Sequence, residues 1–139
     1  MIRCSWAVSE IMVEYHDLEW GVPIHDDRSL FELLVLEGAQ AGLSWETILK
    51  RRSSYRAAFD DFDPVAVSAY NHTKISELLA NPGIIRNRLK IEAAVNNARS
   101  LLAVREEFGS FDRCVWAFVG GRARQNRWNS PEDIPSRTP

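Results

Sequence analysis

The spacing of apolar residues between positions 91 and 102 restricts the fold most. Ile91, Ala94, Val95, Ala98, Leu101 and Leu102 fall at i, i+3, i+4, i+7, i+10 and i+11, which lays a single apolar stripe along a helix. Lys90, Glu92, Asn96, Asn97 and Arg99 occupy the opposite face, and Gly109 supplies a stop signal. Helical spacing recurs through most of the chain, and no stretch alternates cleanly enough to make a strand. The pattern predicts an all-α fold. Asp26 or Asp27 starts a helix that runs to about Gln40, Ala41-Gly42 breaks it, and Ser44 caps the next, through about Phe59. Asp63 with Pro64 behind it opens another helix, Thr73 caps the segment holding Ile75, Leu78 and Leu79, and Asn81-Pro82-Gly83 ends that segment. Each of these about six or seven helices is too short to be stable alone, so they must pack together as a compact multi-helix domain.

A chain of 139 residues with 45% apolar content builds one core without needing disulfides or metal for stability. The helical domain is expected over residues 1–119. From Gly120 to Pro139 the only apolar residues are Ala123, Trp128 and Ile134, so this segment reads as a low-apolar tail or a truncated connection. The longest apolar run, Cys114 to Val119, is six residues, against the roughly 18 that a membrane span needs. The first twenty residues lack a basic segment followed by an apolar one. A cytoplasmic location and no membrane partner are the expectation. Cys4 and Cys114 form no cysteine framework; a single bridge stays open.

The 17 basic and 19 acidic side chains leave a net charge of −2, which argues against binding nucleic acid by bulk positive charge. Bases nevertheless cluster at Lys50, Arg51, Arg52 and Arg56, at Arg86, Arg88 and Lys90, and at Arg122, Arg124 and Arg127. These clusters could meet one phosphate backbone or could be solvated faces.

Glu37 is the most informative candidate for chemistry. On the helix from Asp27 to Gln40 its neighbours at i−3, i−4 and i−7 are Leu34, Leu33 and Leu30, which predicts a carboxylate inside an apolar stripe. Such a group needs a partner, a proton or a cavity. An arginine pair and a ligand site are both open here. Glu32 serves as the contrast, since Arg28 at i−4 predicts an exposed ion pair. Trp6, Tyr15, Trp20 and Trp45 crowd the first third of the chain. Singly each is core material. With a nearby carboxylate they suggest a flat cationic ring held by stacking, which fits a nucleobase. Cys4 and His16 are half of a possible zinc site; His25, His72 and Cys114 show no paired spacing that would complete it.

Several blocks together carry a resemblance: Arg3-Cys4-Ser5-Trp6, Tyr15-His16-Asp17, Glu19-Trp20-Gly21-Val22-Pro23, Leu36-Glu37-Gly38-Ala39-Gln40-Ala41-Gly42-Leu43-Ser44-Trp45 and Gly83-Ile84-Ile85-Arg86. In these the chain resembles the bacterial DNA-3-methyladenine glycosylase I family, nearly end to end. The resemblance implies an all-helical member of the helix-hairpin-helix glycosylases that hydrolyses the N-glycosidic bond of 3-methyladenine in alkylated double-stranded DNA, releasing the free base as product. It implies that Glu37 is the base-recognising, catalytic carboxylate. Tyr15 and Trp45 would sandwich the flipped base, with Trp6 alongside; Trp20 is added as a base-binding candidate from the aromatic cluster. Cys4 and His16 would be the first two ligands of a structural zinc, and the catalytic aspartate of bifunctional relatives would be lacking. Family members continue past residue 139, so the fold is expected to be C-terminally incomplete. With the final third would go the other two zinc ligands and the hairpin that grips DNA. Weak zinc binding is then expected, and the alternative function is an impaired fragment that keeps the base pocket without clamping DNA.

Overall fold

The computed structural model describes residues 2–137 and contains eight α-helices and no strand among them. They are α1 (Glu10–Leu18), α2 (Asp27–Gln40), α3 (Trp45–Lys50), α4 (Arg52–Ala58), α5 (Pro64–Ser68), α6 (His72–Ala80), α7 (Arg88–Phe108) and α8 (Phe111–Ala117). None of these is long and apolar enough to cross a membrane.

Helix α7 is the axis of the domain, with α2, α5, α6 and α8 packed around it. Ile91, Ala94, Val95, Ala98 and Leu101 of its stripe are buried, facing Phe31, Leu36, Phe59 and Phe62 in one core. Gly109 ends the helix in the left-handed conformation at φ 90°, as a residue without a Cβ does readily. Local chemistry sets the other boundaries. Asp26, Ser44 and Asp63 each accept a backbone N–H at the start of α2, α3 and α5. The cap of α6 is Asn71, whose Oδ1 accepts from Lys74 N at 3.0 Å, rather than Thr73; an amide oxygen two positions earlier satisfies the same orphan donors. The segment expected as one helix from Ser44 to Phe59 is two, because Arg51 at φ −102°, ψ 0° interrupts it. That bend brings Arg52 toward the core instead of into solvent.

After α4, Asp60, Asp61 and Phe62 take φ of 49°, 52° and 55°. This left-handed turn buries the Phe62 ring completely and lets Tyr70 Oη donate to Asp60 Oδ2. Residues 81–87 turn α6 into α7. Asn81 Oδ1 accepts from Gly83 N at 2.8 Å, and Tyr55 Oη accepts from Ile85 N at 3.1 Å. A Cβ on Gly83 would lie 2.8 Å from Ser54 Cβ, so this close approach requires glycine. Residues 81–87 are thus a tight hairpin between α6 and α7. Lys90 Nζ, just past the hairpin, donates to Ala39 O at 2.9 Å and Ala41 O at 2.6 Å, satisfying the C-terminal carbonyls of α2. Beyond Ala117 the described chain holds one short 3₁₀ turn, Pro131–Asp133, and buries no residue. Positions 138–139 of the expected tail lie outside the described residues.

Candidate active site

Helix α1, the end of α2 and the start of α3 surround a cavity of about 490 Å³ lined by Trp6, Met12, Tyr15, Trp20, Glu37, Gln40 and Trp45. Its size falls within the range of small-molecule sites. All five residues singled out for base recognition meet here. Met12 and Gln40 join them, each three positions from Tyr15 or Glu37 on the same helix. Helical spacing could have identified both.

The rings meet edge-on or tilted. Trp6 and Trp20 have centroids 5.4 Å apart at 78°, Tyr15 and Trp45 5.6 Å apart at 61°, and Trp6 and Tyr15 6.3 Å apart at 48°. No two of these four are stacked face to face in those contacts, which leaves ring faces for a flat guest. Gln40 Nε2 donates to Leu43 O at 2.7 Å, tying the cavity wall to the turn that leads into Trp45. Ser44 Oγ caps that turn, accepting from Thr47 N at 3.1 Å.

Glu37 and Glu32 reverse their expected environments. Glu37 is exposed and lines the cavity, and no ion pair among the described residues includes it. Glu32 is buried, 8% exposed, and held by Arg52 and Arg56. Arg28 pairs instead with Asp61 and Asp63. The cause is that α2 carries two apolar stripes. Phe31, Val35, Leu36 and Ala39 face the core with Glu32 among them, whereas Leu30, Leu33, Leu34 and Glu37 lie on the other side.

Burial raises the pKa of Tyr15 above its ordinary value. The charges of Glu19 and Glu37 act in the same direction, and Arg52 opposes them. The phenol therefore stays protonated at neutral pH and is available as a hydrogen-bond donor beside Glu37.

Cys4 and His16 come together as well. Cys4 N donates to His16 Nε2 at 3.3 Å, and His16 Nδ1 lies 2.9 Å from Asp17 Oδ1. The imidazole also stacks on Trp20, with centroids 5.5 Å apart at 20°. Both ring nitrogens are engaged, and no group of three His, Cys, Asp or Glu side chains converges as a metal site among the described residues. The pair supplies two donors where tetrahedral zinc needs four, so these residues alone do not fit a closed zinc site.

Much of the basic charge is used internally. Arg52 and Arg56 hold Glu32, Lys50 pairs with Glu46, Arg88 with Glu92, and Lys90 caps α2. Arg51 donates to Pro82 O at 2.9 Å, beside the hairpin, and Arg86 on that hairpin is exposed.

Residues 6–139 match the methyladenine glycosylase family. The chain is 43% identical over 139 residues to DNA-3-methyladenine glycosylase 1 of Escherichia coli (strain K12), covering 99% of this chain and 74% of that protein. It is 42% identical to DNA-3-methyladenine glycosylase of Haemophilus influenzae (strain ATCC 51907 / DSM 11121 / KW20 / Rd), covering 98% and 74%. Among solved structures, a 3-methyladenine DNA glycosylase I superposes with a TM-score of 0.93 at 47% identity, over 99% of this chain and 76% of that one. A tyrosine-to-phenylalanine variant of 3-methyladenine DNA glycosylase I in complex with 3-methyladenine gives 0.92 at 36% identity, over 97% and 73%. The all-helical fold is that of the solved 3-methyladenine DNA glycosylases. This chain belongs to the methyladenine glycosylase family, and it spans about three quarters of the length of these relatives.

Proposed function

We propose that the chain is a monofunctional DNA glycosylase acting in base-excision repair, which removes 3-methyladenine from alkylated double-stranded DNA and leaves an abasic site. One observation carries this reading: Glu37, free of any ion pair among the described residues, stands in a cavity walled by Trp6, Tyr15, Trp20 and Trp45. An unpaired carboxylate among aromatic faces favours a flat cation, and N3-methylation puts a positive charge on adenine. A lesioned base leaves the stack at lower cost than a normal one. Tyr15 and Trp45 would then hold its faces, Trp6 and Trp20 close the rim, and Glu37 accept hydrogen bonds from the adenine edge.

Little catalytic force is needed, because the charge already weakens the glycosidic bond. That bond breaks with its electron pair returning to the base, which leaves as neutral 3-methyladenine. Water adds its oxygen to the sugar carbon of an oxocarbenium-like transition state and gives a proton to solvent. Glu37 stabilises the charge on base and sugar through this step. For the DNA partner, the α6–α7 hairpin offers the exposed Arg86 and the start of a 21-residue helix to backbone phosphates, beside Arg51. Cys4 and His16 are proposed as a weak structural zinc pair.

Incubation with methylated duplex DNA, followed by chromatography of released bases, tests the reading. Free 3-methyladenine and a matching number of abasic sites are expected. Quenching of tryptophan fluorescence by free 3-methyladenine without release from DNA would support the impaired-fragment alternative, and neither effect would return the aromatic residues to a purely structural role.

A further inference from the structure

Helix α1 brings Met12 and Tyr15 to the cavity and ends beside Trp20, yet it buries none of its residues. Its apolar residues Ile11, Met12, Val13 and Tyr15 are only partly buried and pack mainly toward α3 rather than toward the α2 wall that carries Glu37 and Gln40. The link between the two is charged. Arg52 Nη1 donates to both carboxylate oxygens of Glu19 at 2.8 and 2.7 Å, while its Nε donates to Glu32 Oε1 of α2 at 2.5 Å. The Arg52 and Glu32 side chains are 17% and 11% exposed, so their bond is poorly screened, while the Glu19 carboxylate, 38% exposed, is held at the edge of solvent by two charge-assisted bonds. The amides of Glu19 and Trp20 both donate to Tyr15 O at 2.9 Å. A hold on Glu19 is thereby passed to the backbone of two cavity residues. Tyr15, Glu19 and Arg52 also line a second cavity of about 140 Å³, so no side chain fills the space beside the clasp to replace it.

We infer that Arg52 is a positioning residue for base recognition: it clasps α1 to α2 and fixes the width of the cavity between Tyr15 and Glu37. The affinity part of this inference rests on the base-binding reading above, and the clasp itself does not. Arg56 is an internal control, since it reaches Glu32 but not Glu19 and is half exposed.

The test uses the full chain with Arg52→Met, Glu19→Met, the double variant and Arg56→Met. Hydrogen exchange is read at the Glu19 and Trp20 amides, and affinity for free 3-methyladenine is read by tryptophan fluorescence. Arg52→Met and Glu19→Met each should speed exchange at those amides and weaken base binding about tenfold. The double variant should be no worse than Arg52→Met, because both changes break one contact. Arg56→Met should lower the melting temperature while leaving exchange at the two amides and base affinity as in the parent. Unchanged exchange and affinity in Arg52→Met would overturn the inference, as would equal losses in Arg56→Met. If Arg52→Met does not fold, Glu19→Met decides alone, since it leaves Glu32 paired. If the parent chain is not quenched by 3-methyladenine, the base-binding reading fails and hydrogen exchange still decides the clasp.

Discussion

Glu32 and Glu37 lie five positions apart on α2, which turns their side chains about 140° from each other. One is buried against two arginines and the other opens onto the aromatic cavity. Removing them should therefore have opposite consequences. Glu32→Ala leaves Arg52 and Arg56 without their shared acceptor and should cost about 3 kcal/mol of stability. Glu37→Gln should change stability by less than about 0.5 kcal/mol. Urea unfolding of the two variants measures both, and equal losses would contradict the assignment.

The chain has three tyrosines, and the pKa of each is raised. Burial is the main cause at Tyr15, Tyr55 and Tyr70, reinforced by Glu19 and Glu37 at the first and by the Asp60 hydrogen bond at the last. A group raised in the folded state contributes stability that is complete below its unfolded value, here 10.0, and is lost as pH rises through the folded value. Phenolate absorbance should thus appear at higher pH in the native protein than in the chain unfolded in urea. A tyrosine titrating at its ordinary value while the fold persists would contradict this.

Asp17 shows the reverse sign. The Arg3 hydrogen bonds, then that of His16, lower its pKa from 3.8 to about 2. The contribution is present above 3.8 and disappears as pH falls toward about 2. In Arg3→Ala the Asp17 carboxyl should titrate closer to 3.8 by NMR. An unchanged titration would show that Arg3 does not hold it.

Cys4 and His16 give two zinc donors of the four required. Elemental analysis of the purified chain should find less than one zinc per molecule, with the metal removed by a mild chelator. A tightly held zinc in every chain would mean that other groups complete the site.

Most of the helical framework was legible in the residues themselves. The stripe from Ile91 to Leu101, the stop at Gly109 and the caps at Asp26, Ser44 and Asp63 are local effects, and local chemistry settles them. Thr73 failed as a cap because Asn71 stands two positions earlier with a suitable oxygen. The burial of α2 was misread for a different reason. Two apolar stripes share one helix, and periodicity cannot say which faces the core; that depends on where α7 and Arg52 lie. The cavity was half legible: aromatic residues and Glu37 signalled a flat cation, whereas Met12 and Gln40 acquire meaning only once α1 and α2 face each other. The Arg52 clasp depends on the break at Arg51, which spacing did not predict.

On the proposed function, the Glu37 carboxylate, set among the four rings, selects the cationic alkylated base and stabilises its charge while the glycosidic bond breaks. The most direct measurement compares 3-methyladenine release from methylated duplex DNA by the parent chain and by Glu37→Gln, under conditions where both are folded. Release should fall by about 100-fold or more in the variant. Release by Glu37→Gln at the parent rate would show that the carboxylate does not act on the base.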